Sequence, residues 1–249
     1  GHEDQKFGFS LGGEVAFNAA REILTHPGEL RFLGLHSHIG SQIFDTGGFE
    51  MAAHRLVALH ARIAEEHGHH CPEIDLGGGY GIAYTSQHEP VPPAVMGAQL
   101  ATIIERECRV EGVAVPRVSI EPGRAIVGPS TFTLYEVGTV KPVELGGGHT
   151  RTYVSVDGGM SDNIRPALYA AEYSATLANR AGERGPVLSR VVGKHCEGGD
   201  ILVRDEFLPD DVGPGDLIAV PAAGAYSRSM ASNYNHVPRP PVGSVREGR

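Results

Sequence analysis

Apolar positions along the first half of the chain alternate between two textures. Leu30–Ile39 is a dense apolar run that predicts a buried strand. Ala52, Leu56, Leu59 and Ile63 then recur at helical steps, and Gly68 ends that helix. Glu73–Leu76 predicts a second, short strand, and Met96, Leu100, Ile103 and Cys108 mark a second helix. Arg117–Ile120 predicts a third strand, and an earlier helix is expected over Glu14–Leu24. Strands separated by single helices imply right-handed crossovers and a parallel sheet. Beyond about residue 126 the helical stripes vanish. Strands are expected in Thr131–Val140, Thr152–Val156, Arg190–Gly193, Ile201–Val203 and Asp216–Pro221, with one helix over Ala167–Asn179. Turn residues such as Gly146-Gly147-Gly148 separate these runs, so a mostly antiparallel β domain follows a boundary between Ile126 and Ser130. The α/β part holds only three or four β/α units, whereas a closed barrel takes eight strands and roughly 250 residues. Either its sheet is open or the chain is a piece of a longer one.

Composition narrows the function classes. With 249 residues, 41% of them hydrophobic, the chain can bury a core and is not a disordered segment. Its net charge of -9, with no basic stripe, argues against nucleic acid as a partner. No apolar run approaches the roughly 18 residues of a membrane span. The polar start, Gly1 to Lys6, is unlike a signal peptide and lacks an initiating Met. Three widely spaced cysteines, Cys71, Cys108 and Cys196, suit a reducing cytoplasm rather than a disulfide framework.

Three strand ends carry unusual signatures: His36-Ser37-His38-Ile39-Gly40-Ser41, Gly77-Gly78-Gly79-Tyr80-Gly81 and Glu121-Pro122-Gly123-Arg124. In a parallel sheet all three lie on the rim where such proteins bind ligands. One glycine cluster alone signals no more than a tight turn; three at successive strand ends are more specific. The triple glycine would let backbone N–H groups approach an anion at the start of the next helix. Glu121 could hold a ring nitrogen protonated and Arg124 could grip a carboxylate or phosphate, although a surface ion pair explains them equally well. His36 and His38 point the same way along a strand. A metal site would need further His or Asp at later strand ends, where Gly-Gly-Gly and Glu-Pro-Gly-Arg stand instead, so no metal is expected. His67, His69 and His70 beside Cys71 are read as solvated. In the second half Arg165 and Tyr169 stand four apart on one predicted helical face. Lys194-His195-Cys196-Glu197-Gly198-Gly199-Asp200 sets a thiol beside a carboxylate in a turn, and Tyr226 offers a phenol.

The runs HSHIGSQ, GGGYG, EPGR, VDGGMSDNIRPALY, KHCEGGD and GAYSRSMASNYN together resemble the diaminopimelate decarboxylase family, over nearly the whole chain. The resemblance implies a pyridoxal-phosphate enzyme, with residues 1–127 as the C-terminal part of a (β/α)8, TIM-type barrel and 128–249 as the mostly β domain, incomplete at its end. It implies cofactor contacts from His38, stacked on the pyridoxal ring, and from Ser41, Gly78, Gly79, Glu121, Gly123, Arg124 and Tyr226. It implies substrate contacts from Arg124, Arg165, Tyr169, Glu197 and Tyr226, with Cys196 as the proton donor. The reaction would convert meso-2,6-diaminopimelate to L-lysine and CO2, the last step of lysine biosynthesis. A related decarboxylase of another basic amino acid, or a non-catalytic fragment, is the alternative. In the family Cys196 and Glu197 would reach the partner subunit's site across a homodimer. The lysine that anchors the cofactor would sit on an early barrel strand, and Lys6, Lys141 and Lys194 occupy no matching context. The chain is therefore expected to begin mid-barrel and to be inactive alone. Ser227-Arg228 departs from the apolar or aromatic pair more usual in relatives.

Overall fold

The protein is described by a computed structural model covering residues 6–247. The first five residues of the polar start, and Gly248 and Arg249, lie outside the described residues. The chain divides into two compact units. One takes the residues up to Gly81 together with Glu89–Ala125; the other takes Ile82–His88 and the residues from Ile126 onward.

In the first unit, strands β1 (Gly34–His36), β2 (Glu73–Asp75) and β3 (Arg117–Ser119) pair in parallel in that order, Leu35 opposite Ile74 and Ile74 opposite Val118. Helices α1 (Val15–Leu24), α2 (Gly47–His67) and α3 (Pro93–Glu111) complete it. The expected β/α alternation is present. The first strand, however, is three residues long rather than spanning Leu30–Ile39. Leu30 and Leu33 are about half-exposed at 49% and 52%, so the apolar run is not wholly a buried one. Past His36 the chain bends away at Gly40, whose φ of +139° favours glycine. Gly68 and Gly112 end α2 and α3 in the left-handed conformation, at φ +65° and +69°. The α2 and α3 faces close on the sheet through Phe49, Leu56, Ile74, Leu76, Leu100 and Ile104. Each such side chain fully buried contributes about 1.5–3 kcal/mol.

The second unit is a six-stranded sheet in the order β6-β9-β4-β5-β7-β8. Its strands are β4 (Thr133–Gly146), β5 (His149–Val156), β6 (Thr176–Leu177), β7 (Pro186–Val192), β8 (Ile201–Pro209) and β9 (Leu217–Val220). Every pairing is antiparallel except β5 with β7. The Gly146–Gly148 turn takes φ +88°, +62° and +79° and folds β4 back onto β5. Two short helices, α4 (Gly123–Val127) and α5 (Arg165–Tyr169), lie outside the long elements. The helix expected over Ala167–Asn179 is thus a five-residue one. Ala170 ends it at φ +51°, after which β6 pairs with β9 and Tyr173 is buried. Among the described residues no helix is long and apolar enough to cross a membrane.

Of the three histidines read as solvated, His67 and His70 are exposed and His69 is half-buried. His69 packs on Phe32 with ring centroids 5.3 Å apart, and its Nε2 is buried without a partner. His67 stacks on Phe17 at 5.4 Å. His60 is buried in α2 and its Nδ1 accepts the Cys71 N–H at 3.2 Å. Burial, and then the neighbouring His70 and His69, lower its pKa. Burial also pushes the Cys71 thiol up to about 11, which leaves it unreactive. A lowered imidazole pKa means the unfolded chain takes up a proton that the folded chain does not. Stability is then full above the unfolded value and lost as pH falls below about 6.5. Thermal unfolding from pH 7.5 to 5.5 should show the wild type losing stability relative to His60→Gln. Parallel curves would show that His60 is not the sensitive group.

Candidate functional site

The three signatures meet at the C-terminal ends of β1, β2 and β3 because the β2 end has no Cβ atoms. A Cβ on Gly77, which has φ +72°, would lie 2.1 Å from the Ser37 carbonyl oxygen. One on Gly78 would lie 2.7 Å from the Glu121 carbonyl oxygen, and one on Gly79 2.6 Å from that of Gly40. The glycines are therefore required by the packing of neighbouring chain segments. The helix expected directly after them is not there: the chain contributes Ile82–His88 to the second unit, and α3 begins only at Pro93. An anion at this turn would have no helix start beneath it, and side chains at the neighbouring strand ends offer further donors.

Those donors are present. Arg124, in α4, donates from Nη2 to Ser41 Oγ at 2.7 Å, which joins the β1 and β3 ends. His38 accepts the Gly78 N–H at Nδ1, 3.3 Å away, so its ring is held beside the glycine turn while the residue stays exposed. Glu121 is exposed at the same rim, and Gly123 is open to any neighbour, with nothing within 4 Å of its Cβ position. His36 and His38, expected to point the same way, have different partners. His36 Nε2 lies 3.4 Å from Glu121 Oε2. With Asp75, these two residues bring three ligand atoms within 4.8 Å of one another. The sequence reading set metal aside for want of later ligands; Asp75 before the glycines and Glu121 after β3 supply that convergence through the parallel register.

The second unit gathers its own residues. Asp200 is buried between Gly159 and Gly193, where any Cβ would come within 2.7 Å and 2.2 Å of its carboxylate. It accepts the Met160 N–H at 2.6 Å and the His195 N–H at 2.8 Å. His195 Nε2 lies 2.9 Å from Ser161 Oγ. These bonds tie the turn holding Cys196 and Glu197 to the loop that leads into α5. Beside them Tyr135 donates to Asp162 Oδ2 at 2.5 Å, and Asp162 accepts the Gly159 N–H at 2.7 Å. Burial pushes the Asp162 carboxyl up from the ordinary aspartate range, against those two hydrogen bonds. Cys196 is exposed. Glu197 accepts a hydrogen bond from the Tyr234 hydroxyl on Oε1, while its Oε2 is buried without a partner among the described residues.

Arg165 and Tyr169 stand four apart in α5, as expected, but differ in exposure. Arg165 is only 6% exposed, whereas Tyr169 is 62% exposed at the end of the short helix. Tyr84 and Tyr173 surround Arg165 instead, with its guanidinium carbon 4.7 Å and 5.4 Å from their ring centroids. Among the described residues no carboxylate pairs with Arg165. Tyr226 takes φ +62° and is 46% exposed. The turn before it packs so closely that a Cβ on Gly224 would lie 1.7 Å from the Val127 carbonyl oxygen. Asp200, Ser161, Tyr84, Tyr173 and Tyr234 were not singled out from the sequence. The glycines at 158–159 and 198–199 were a signal for Asp200; nothing local marks Tyr84 or Tyr173.

The comparisons with known proteins agree with one another. Residues 1–128 match the family described as pyridoxal-dependent decarboxylase, pyridoxal binding domain. The chain is 52% identical over 254 residues to the diaminopimelate decarboxylase of Mycobacterium tuberculosis, covering 99% of this chain and 56% of that protein. It is 43% identical over 248 residues to the diaminopimelate decarboxylase of Bacillus subtilis, covering 55% of it. The chain thus spans about half the length of the curated relatives it matches. The crystal structure of diaminopimelate decarboxylase from M. jannaschii in complex with L-lysine superposes on 96% of this chain and 52% of that one, with a TM-score of 0.84 at 28% identity. The partial barrel and the mostly antiparallel β part expected from the sequence match this neighbour's fold.

Proposed function

The chain belongs to the pyridoxal-dependent decarboxylase family, and on that premise we propose that it forms part of an enzyme converting meso-2,6-diaminopimelate to L-lysine and CO2. The observation that carries this reading is the buried Arg165 guanidinium, beside which no carboxylate stands among the described residues. A buried cation paired only with a neutral phenol and aromatic rings leaves part of its desolvation cost uncompensated. A substrate with a second carboxylate would supply a charged partner, in the two-pronged geometry a guanidinium favours. The lysine bound in the M. jannaschii relative carries such a carboxylate. Glu197 adds a matching feature: its buried, unpartnered Oε2 can accept from an ammonium group. We assign Tyr169 and Tyr226 to the substrate as well, from their exposed phenols.

The strand-end residues fit pyridoxal phosphate by the chemistry of their donor set. Arg124 and Ser41 form a joined pair of donors suited to a phosphate, with backbone N–H groups of the glycine turn and Gly123 beside them. Glu121 offers a carboxylate that can keep a pyridine nitrogen protonated, and His38 offers a fixed flat ring for stacking. The cofactor, when bound, supplies an electron sink for the pair left on the carbon as CO2 departs. We assign protonation of that carbon to the exposed Cys196 thiol, whose turn the Asp200 hydrogen bonds hold in position. The reading includes a homodimer in which Cys196 and Glu197 serve the partner subunit's site, and a cytoplasmic location that suits three free thiols.

Two variants of the full-length gene product test this. Arg165→Ala should raise KM for meso-diaminopimelate by about a hundredfold, with a much smaller change in kcat. An unaltered KM and substrate range would reject the diacid assignment. Cys196→Ala should lower kcat by roughly 100-fold or more while pyridoxal-phosphate affinity stays within about twofold, since a proton donor acts after the carboxylate leaves. Equal losses in both would make Cys196 a structural residue.

A further inference from the structure

Arg165 is not simply buried; it is clamped. Its Nη1 donates to the Tyr173 hydroxyl at 2.5 Å. Its guanidinium lies over the Tyr84 ring, and the Tyr84 and Tyr173 rings meet edge to face, centroids 5.0 Å apart at 78°. Both tyrosines are 3% exposed. The clamp is itself anchored by backbone. The Ser174 N–H donates to the Tyr84 carbonyl at 2.9 Å. His88 Nδ1 accepts the Tyr84 and Thr85 N–H groups at 3.2 Å and 3.3 Å. Burial pushes the Tyr173 phenol up from its ordinary value, so it stays a neutral acceptor across the physiological range.

A guanidinium is planar and donates along its edges. With its face covered by Tyr84 and one nitrogen tied to Tyr173, it is left with one edge in one orientation. We propose that Tyr84 and Tyr173 are positioning residues that aim the remaining edge of Arg165 at the carboxylate shared by diaminopimelate and lysine, and so set the selectivity for substrates that carry it. This rests on the reading that Arg165 takes the substrate's second carboxylate. That carboxylate survives the reaction, because CO2 leaves from the other end; lysine retains it. Cadaverine is lysine with this carboxylate replaced by hydrogen. The clamp should therefore act on lysine affinity and leave cadaverine affinity alone.

The experiment measures dissociation constants of L-lysine and cadaverine on the full-length gene product loaded with pyridoxal phosphate. Tyr173→Phe removes the hydroxyl and keeps the ring; lysine should bind about tenfold more weakly while cadaverine changes less than about twofold. Tyr84→Leu should weaken lysine similarly, and Tyr84→Phe, which keeps the ring face, should restore it to within about twofold of wild type. If Tyr173→Phe does not fold, the two Tyr84 variants decide alone. Parallel weakening of lysine and cadaverine would show general damage and overturn the proposal, as would unaltered lysine binding. Arg165→Ala separates the two levels. If it collapses the preference for lysine over cadaverine while the tyrosine variants do not, only the clamp fails. If Arg165→Ala leaves that preference intact, the underlying carboxylate reading fails with it.

Discussion

The first unit depends on one constraint: three adjacent chain segments pass closer at the end of β2 than any side chain permits. The space for a Cβ at Gly77, Gly78 and Gly79 is already filled by carbonyl oxygens of Ser37, Glu121 and Gly40. This approach lets the His38 ring take a hydrogen bond from Gly78, and sets Ser41 within reach of Arg124. A parallel sheet places its strand ends on one rim in any case. The missing Cβ atoms draw that rim together until residues from three separate turns can act on one ligand.

The second unit solves a similar problem with charge. Asp200 is a buried carboxylate whose cost of desolvation is offset by backbone N–H donors from Met160 and His195. Gly159 and Gly193 make room for it. The turn carrying Cys196 and Glu197 is thereby joined to the loop that leads to Arg165, so the exposed Cys196 thiol rests on a buried, fixed base. Arg165 reverses the arrangement. There no carboxylate among the described residues pairs with the charge, which rests instead on the Tyr173 hydroxyl and the Tyr84 ring.

Much of this was legible in the sequence, and the exceptions share a cause. The α2 and α3 stripes, the Gly68 cap and the β/α order follow from local periodicity, which a helix expresses within a few turns. The strand at Leu30–Ile39 was drawn too long because apolar content does not say how far a parallel neighbour reaches; β2 offers only three residues for pairing. The helix at Ala167–Asn179 failed because Tyr173 is drawn to Arg165 and Thr176–Leu177 to β9, and both are long-range. Of the site, the glycine turns, Arg124, Glu121 and Cys196 stood out as chemistry at turn positions. Tyr84 and Tyr173 did not, since a buried tyrosine in a clamp reads like any core aromatic until its cation is known. The glycines at 77–79 stood out as a ligand-binding turn, and the structure adds a packing reason for them that local sequence does not show: each Cβ position is already taken by a neighbouring carbonyl oxygen.

The assignment of the strand ends as a cofactor site rests on Arg124 holding the phosphate with Ser41. It is tested most directly by titrating pyridoxal phosphate, and separately pyridoxal without its phosphate, into the full-length gene product and its Arg124→Gln variant. The variant should bind pyridoxal phosphate at least about tenfold more weakly and bind pyridoxal as the wild type does. Equal affinity of both proteins for pyridoxal phosphate, or an equal loss for both ligands, would contradict it.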